Sequence, residues 1–192
     1  MVTMNDMKIV LASQSPSRKM LLDRAGVPFE VVVSGVDEDV PETFTPGETV
    51  ECLAERKGRA VQPLRPDSVI IAADSVVCID GLILGKPEDD EAAVAMLHRL
   101  SGRTHEVVTG VCLLVGDKCE VFHQATKVTF YPLTDEEIRD YVARGESRGR
   151  AGSYGIEGIG VILVESTCGD YANVVGLPVA ETLRRLRRML AG

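Results

Sequence analysis

The sequence has no excess of positive charge. Its 21 lysines and arginines stand against 29 aspartates and glutamates, which gives a formal net charge of -8. Binding to nucleic acid or to an anionic membrane by counterion release needs the opposite balance. We therefore predict no nucleic-acid and no membrane partner, and we expect any phosphate ligand to be held by local contacts.

Long apolar runs are also missing. No stretch approaches the length of a membrane span. The N-terminal segment MVTMNDMKIVLAS carries an acid and a single lysine before a short apolar run, so it fits neither a signal peptide nor a transmembrane helix.

The cysteines show no CxxC pair and no Cys/His spacing of the kind that binds metal. They are odd in number, at Cys52, Cys78, Cys112, Cys119 and Cys168. We interpret them as reduced thiols of a cytoplasmic protein. Cys112 and Cys119 could lie on neighbouring strands, where packing of two small side chains is favoured over a disulfide.

Known nucleotide-binding glycine motifs are absent from the glycine-rich stretch between Gly145 and Gly160. No Gly-Lys-Ser/Thr leads into a helix, and GxGxxG is not matched. The stretch is interpreted as an irregular loop before a strand from Val161 to Val164. Alternatively, it brings backbone close to a flat ligand, with Glu157 placed to contact polar edges of that ligand.

What is present is a chain of 192 residues with 45% hydrophobic content, enough to bury a sizeable core. Strand-like and helix-like segments alternate, and a long hairpin is predicted around Gly116. The pattern indicates a mixed α/β fold, with a twisted central sheet, flanking helices and two lobes around a cleft. Strands are predicted at 8–12, 29–33, 69–72, 82–84, 107–115, 120–130 and 161–164, and helices begin near 16, 49, 89, 134 and 179.

The stretch from Val69 to Pro87 organises this prediction. A β-branched run predicts a buried strand that ends at Asp74, where the polarity changes. Asp80-Gly81 is typical of a hairpin turn, and the returning strand is expected to bring Lys86 towards Asp74. An ordinary half-buried ion pair is the alternative interpretation of these two residues.

Two further segments are candidates for binding phosphate or metal. Ser15 and Pro16 are typical of a helix start, so the free N–H groups of that helix lie beside hydroxyls and Arg18, a suitable anion site. An ordinary capped helix is the alternative.

The acidic run from Asp37 to Asp39 is either a solvated loop or a source of carboxylate ligands for a divalent cation.

Six stretches together resemble the Maf family of nucleotide pyrophosphatases. They are LASQSPSRKMLL, the Glu38 loop, LAERKGRA, AADSVV…LGKP, MLHRLSGRTHEVVTGV and AGSYGIEGIG…GDYANVVGLPV, in the family's order and over almost the whole chain. The resemblance implies a single Maf-like domain over 1–192, related in fold to the inosine triphosphate pyrophosphatases. It also implies a cytoplasmic homodimer that needs a divalent metal, Mg²⁺ or Mn²⁺. The implied reaction converts a nucleoside triphosphate into the monophosphate and pyrophosphate.

The same resemblance assigns roles to residues of this chain. Asp74 would accept the proton of the attacking water and, with Glu38, would hold the metal. Lys57 and Lys86 would act in catalysis by contacting phosphates. The implied substrate-binding residues are Ser13, Ser15, Ser17, Arg18, Ser75 and Glu157.

Three residues depart from the family branch that acts on dTTP and UTP. That branch typically reads SPRR, ADT and GIQG, whereas this chain has Ser17, Ser75 and Glu157 in the corresponding places. The overall spacing favours dTTP and UTP. Glu157 favours a guanine edge, because a carboxylate only accepts hydrogen bonds, and the branch acting on 7-methyl-GTP is similar there. A non-catalytic nucleotide-binding regulator of septum formation is the alternative from another class.

Overall fold

The computed structural model describes residues 7–191. The first six residues, which begin the N-terminal segment considered above, and Gly192 lie outside the described residues. No helix within the described range is both long and apolar enough to cross a membrane.

Strands and helices alternate along the chain, as the sequence predicts. The strands are β1 (Ile9–Leu11), β2 (Glu30–Val31), β3 (Val69–Ile79), β4 (Leu82–Leu84), β5 (Thr104–Val115), β6 (Lys118–Phe130) and β7 (Val164–Cys168). The helices are α1 (Pro16–Arg24), α2 (Pro46–Val61), α3 (Asp90–Leu100), α4 (Asp135–Ala143), α5 (Tyr171–Val175) and α6 (Val179–Ala191). Short 3₁₀ segments cover Gln62–Leu64, Ala151–Ser153 and Ile159–Leu163.

The seven strands form one sheet in the order β2-β1-β3-β5-β6-β7, with β4 paired to β3. β1 pairs in parallel with both β2 and β3, whereas β3–β4 and β6–β7 are antiparallel. The sheet is therefore mixed, and the predicted mixed α/β fold is confirmed.

Most strand bounds differ from the prediction by one to three residues, and three differences are larger or concern the candidate site. β3 does not end at Asp74 but continues to Ile79, so Asp74 lies in the middle of an 11-residue strand. Helix α2 begins at Pro46 rather than Thr49, because Thr45 and Glu48 form a capping box. The strand predicted from Val161 to Val164 is wrong: residues Ile159–Leu163 form a 3₁₀ helix, and β7 starts at Val164.

The chain divides into two compact units. Three of the four boundaries between them fall within β3, β5 and β6, and the fourth lies between α5 and α6. The first unit comprises Met1–Asp74, Thr109–Gln124 and Gly176–Gly192, and the second comprises Ser75–Val108 and Ala125–Val175. The two lobes that we expected correspond to such a division. A single Maf-like domain over 1–192 stays a prediction.

In the first unit, α2 packs directly on the sheet. A buried cluster joins Ala54 and Val61 of α2 to Ala12, which directly follows β1, and to apolar side chains of β1, β3 and β5, namely Val10, Ile70, Ala72, Cys112 and Leu114. A Cβ added to Gly110 of β5 would lie 2.4 Å from the carbonyl carbon and oxygen of Val50. The helix backbone therefore approaches β5 so closely that only glycine fits there.

In the second unit, a buried aromatic group includes Tyr154 of the glycine-rich segment. The rings of His105, Phe130 and Tyr154 make edge-to-face pairs with centroids 4.8 to 5.5 Å apart. His105 is 2% exposed, and its Nε2 lies 2.8 Å from the Tyr154 hydroxyl. Its Nδ1 is buried with no hydrogen-bond partner among the described residues, so a charged imidazolium is disfavoured there.

Replacing Gly110 with alanine should strongly destabilise the protein. The new methyl group would overlap backbone atoms of Val50, which cannot move aside as a flexible side chain can. We expect the free energy of unfolding to fall by about 1–3 kcal/mol or more, measured by urea denaturation. Gly85→Ala is the matched control, since nothing lies within 4 Å of its added Cβ. An equal loss in both variants would contradict the close approach.

His105 should make stability depend on pH. Burial lowers its pKa from 6.5 to about 4, so the unfolded chain binds a proton more readily than the folded protein. Stability from this residue is thus present above pH 6.5 and is lost as the pH falls towards 4, by roughly 3 kcal/mol in total. Urea denaturation of the wild type and of His105→Phe at several pH values measures it.

The His105→Phe variant keeps an aromatic ring but removes the titrating group. Its loss of stability between pH 6.5 and 4 should therefore be smaller than that of the wild type. Identical pH profiles for wild type and His105→Phe would exclude His105 as the cause.

Candidate functional site

The centre of the candidate site is a lysine between two acids in the first unit. The Nζ of Lys57 lies 2.6 Å from Oδ1 of Asp74 and 2.6 Å from Oε1 of Glu38. The Lys57 and Asp74 side chains are only 12% and 14% exposed, whereas Glu38 is 51% exposed. Two carboxylates from distant parts of the chain thus converge on one cation.

The position of Lys57 follows from the packing of α2. The neighbouring Gly58 faces the sheet, where an added Cβ would lie 3.2 to 3.4 Å from Cys112, Leu114 and Ala72. This close contact brings Lys57 within reach of Asp74 on β3. Lys57 is not distinctive by itself in the sequence, because lysines on a helix are usually solvated, and only the family resemblance assigned it a role.

The acidic loop is held by the residue before Lys57. Arg56 Nη1 donates to the backbone carbonyls of Asp37 and Asp39, at 2.7 and 2.9 Å. These are the two residues that flank Glu38, so α2 binds the loop backbone through Arg56 and its carboxylate through Lys57. The acidic loop is therefore not merely solvated. Arg56 was not among the site residues predicted from the sequence.

Arg18 and Ser13 are linked at the start of α1. Arg18 Nη1 donates to Ser13 Oγ at 3.0 Å, and its Nε donates to the carbonyl of Gly176 at 2.8 Å. Burial lowers the pKa of Arg18, while the nearby carboxylates of Asp74 and Glu38 oppose that shift. The predicted phosphate-binding arginine is therefore a buried cation that interacts with the two acids.

Ser15 has the capping role that the sequence predicts. Its Oγ accepts a hydrogen bond from the backbone N–H of Arg18, and Pro16 occupies the first turn of α1. Ser15 also donates its backbone N–H to Ser13 Oγ at 3.2 Å. Ser17 lies half-buried in the first turn of the same helix. Contact of Ser15 and Ser17 with a substrate stays a prediction.

The other candidate residues belong to the second unit. Ser75 follows Asp74 in β3 and is half-buried, and Lys86 is exposed, two residues after the end of β4. The carboxylate of Glu157 is 13% exposed and accepts a hydrogen bond from Arg150 Nη1 at 2.6 Å. The roles of Ser75, Lys86 and Glu157 stay predictions, as does the approach of Lys86 to Asp74.

Metal binding is compatible with the two acids of the first unit. Within residues 7–191, no group of three or more His, Cys, Asp or Glu side chains could hold a metal ion. Glu38 and Asp74 nevertheless already bind one cation, the Lys57 ammonium, through hard oxygen atoms. Mg²⁺ is commonly bound by one or two carboxylates together with substrate phosphates, so this donor set suits it.

Fold and site together define a mixed α/β protein whose first unit combines buried cations, a capped helix start and two converging carboxylates. Residues 8–189 match the family model described as Maf-like protein. The chain belongs to the Maf family, and the family assignment made from its motifs is confirmed.

Several curated relatives carry one name. A "dTTP/UTP pyrophosphatase" of Bacillus velezensis is 47% identical over 180 residues, which cover 94% of this chain and 95% of the relative. One of Bacillus cytotoxicus is 48% identical over 185 residues, covering 96% and 97%. Among solved structures, the Ham1 protein of Staphylococcus aureus gives a TM-score of 0.45 at 22% identity, covering 64% of this chain and 71% of that one.

Removal of the Lys57 charge should destabilise the first unit. In Lys57→Met, the nearly buried Asp74 carboxylate would lose its cation, and breaking a buried pair in this way costs about 3 kcal/mol. Urea denaturation at neutral pH measures the loss of unfolding free energy. The double variant Lys57→Met/Asp74→Asn has no orphaned charge and should recover much of it. Equal losses in the single and double variants would refute this account.

Proposed function

We propose that this protein hydrolyses nucleoside triphosphates, with dTTP and UTP as substrates, to the monophosphate and pyrophosphate. The observation that carries the proposal is the convergence of Glu38 and Asp74 on Lys57, with buried Arg18 close by. The array supplies cations for a triphosphate and a carboxylate for its attacking water. The shared name of the Bacillus relatives supports the choice of dTTP and UTP.

In this mechanism, water attacks the α-phosphorus of the nucleotide. A bond forms between the water oxygen and phosphorus, and the bond from phosphorus to the oxygen bridging the α- and β-phosphates breaks, so that pyrophosphate leaves. Asp74 accepts the proton of the attacking water. Its bond to Lys57 keeps the carboxylate oriented in the ground state, and a positioned base contributes roughly 10²- to 10⁴-fold.

The cationic side chains stabilise the charge that develops on the phosphate oxygens. Arg18 is held by Ser13 and Gly176, which fixes its guanidinium before substrate arrives. Lys57 exchanges part of its contact with the two acids for contact with a phosphate. Ser13, Ser15 and Ser17 add hydroxyls at the start of α1. Contacts of Ser75 and Lys86 with the substrate remain predictions from the family resemblance.

A divalent metal, Mg²⁺ or Mn²⁺, completes the proposal. Glu38 and Asp74 would hold it, and when bound it would polarise phosphate oxygens and neutralise developing charge. The cytoplasmic location and the homodimer remain predictions from the family resemblance.

Glu157 supports a second candidate substrate, 7-methyl-GTP. Its carboxylate can accept hydrogen bonds from the N1–H and the N2 amine of a guanine edge, two adjacent donors that no pyrimidine edge offers together. A substrate panel that contains UTP, dTTP, CTP, GTP and 7-methyl-GTP separates the two candidates.

Asp74→Asn should lower turnover of the preferred nucleotide by about 10²- to 10⁴-fold. Asparagine keeps the shape of the side chain but cannot accept the proton, and Lys57 retains Glu38 as its partner. Pyrophosphate release from the nucleotide panel, with Mg²⁺ or Mn²⁺ and with a chelator, measures the effect. The chelator should abolish release by the wild type.

The matched control is Asp80→Asn, which changes an exposed aspartate paired with Arg103 and should keep wild-type turnover. Near-normal turnover by a folded Asp74→Asn variant would remove Asp74 from the mechanism. Nucleotide binding without any pyrophosphate release would instead favour the regulator of septum formation.

A further inference from the structure

The acidic loop of the first unit has no helix or strand of its own. It is part of the stretch 32–45, which connects β2 to α2. Residues 37–39 are exposed, so burial does not fix their positions. The Glu38 side chain is 51% exposed, against 14% for Asp74. One of the two converging carboxylates is therefore carried by a segment that needs support from elsewhere in the unit.

Arg56 gives the loop that support. Its Nη1 donates to the carbonyl oxygen of Asp37 at 2.7 Å and to that of Asp39 at 2.9 Å. Its Nη2 donates to Cys52 Sγ at 3.7 Å, one turn earlier in α2. Because the guanidinium is a rigid planar fork, these contacts set its direction. A single group thus binds the backbone on both sides of Glu38.

The helix that carries Arg56 is fixed on the sheet. Ala54 is fully buried, and Gly58 is so close to the sheet that an added Cβ would lie 3.2 to 3.4 Å from three side chains there. Lys57, next to Arg56, contacts Asp74 of β3. Through Arg56 the helix therefore holds the loop backbone at a defined distance from Asp74.

A direct contact of Arg56 with substrate would be a different role. A terminal guanidinium nitrogen carries two N–H groups, and Nη1 already has two carbonyl acceptors. Turning Nη1 towards a phosphate would release the loop that carries Glu38. The contacts of Arg56 are those of a residue that acts through the loop.

We propose that Arg56 is a positioning residue that holds Glu38 in place for the divalent metal. The inference rests on the proposed function, in which Glu38 and Asp74 hold that metal. Arg56 acts through the peptide groups beside Glu38 and touches neither metal nor substrate. Groups that orient a metal ligand in this way typically change metal affinity or activity by 10- to 100-fold when they are lost.

The sign of the effect separates positioning from simple electrostatics. Removing a positive charge near a cation site lowers the repulsion of the metal, and by itself would make the metal bind more tightly. Loss of Glu38 positioning has the opposite effect. A weaker metal affinity in an Arg56 variant is therefore the signature of positioning.

The test is the dissociation constant of Mn²⁺, measured by electron paramagnetic resonance of the free ion. The protein is saturated with a UTP analogue in which an NH group replaces the oxygen between the α- and β-phosphates, so that no hydrolysis occurs. Arg56→Met should raise the constant by about 10- to 100-fold. Arg59→Met is the matched control, since Arg59 lies on the same helix and pairs with Glu55 at the surface, and its constant should equal that of the wild type.

Thermal melting of every variant measures folding separately from metal binding. If Arg56→Met does not fold, Arg56→Gln replaces it, because glutamine is a good helix former whose side chain is two bonds shorter than that of arginine. The Mn²⁺ constant of Arg56→Gln should rise in the same way.

A double-mutant cycle tests whether Arg56 acts through Glu38. Glu38→Gln removes the carboxylate that Arg56 is proposed to position. In that background, Arg56→Met should change the Mn²⁺ constant by no more than about twofold, because the effects of two residues in one network do not add. Wild type, both single variants and the double variant are measured under the same conditions.

The possible results have distinct consequences. An Mn²⁺ constant equal to or below that of the wild type in folded Arg56→Met or Arg56→Gln overturns the inference. A full further loss of affinity in the Glu38→Gln background also overturns it, since Arg56 would then act through another group. Both results leave the proposed function standing, because the wild type still binds Mn²⁺ and releases pyrophosphate. A wild type that binds no Mn²⁺ and hydrolyses no nucleotide overturns the proposed function, and the inference with it.

Discussion

The contact on which the first unit depends is that of Lys57 with Asp74. Both side chains are nearly buried, so each charge is stabilised by the other. Either charge without its partner would carry the full cost of desolvation. Because Glu38 joins the same ammonium, the contact also fixes the acidic loop. One ammonium group thus keeps two carboxylates close together without destabilising the fold.

Close packing makes this contact possible. α2 lies against β5 at Gly110, and its Gly58 faces the sheet. Lys57 of α2 is therefore in contact with Asp74 on β3 and with Glu38 in the acidic loop. Arg56 then binds the carbonyls on either side of Glu38. The helix is thus both part of the core and the support of the candidate site, and its small residues matter as much as its charged ones.

The second unit combines rigidity with polar contacts in the same way. Glu146 and Tyr141 hold the glycine-rich backbone, and Arg150 pairs with the glutamate at its centre. The chemical character of an acidic side chain depends on what it contacts, and the carboxylate of Glu157 contacts a guanidinium.

Much of the fold could be predicted from local patterns. β-Branched runs, the Ser15 cap and the turns at Asp80-Gly81 and Gly116 all depend on neighbours in sequence. The errors arose where the sequence signal was weak or overlooked. Asp74 interrupts an apolar run but not β3, the capping box at Thr45 was missed, and a glycine-rich stretch gives no periodicity from which to place a 3₁₀ helix.

The sequence by itself determined the family, through six motifs in order, and with it which residues to consider. Only the tertiary structure decided which of them meet. Lys57 is 17 residues from Asp74, and Arg18 is 158 residues from Gly176. Contacts at such separations depend on how helices pack on the sheet, and no local pattern encodes that. Arg56 and Arg150 were overlooked for the same reason, because the role of an arginine depends on the groups that it contacts in the folded protein.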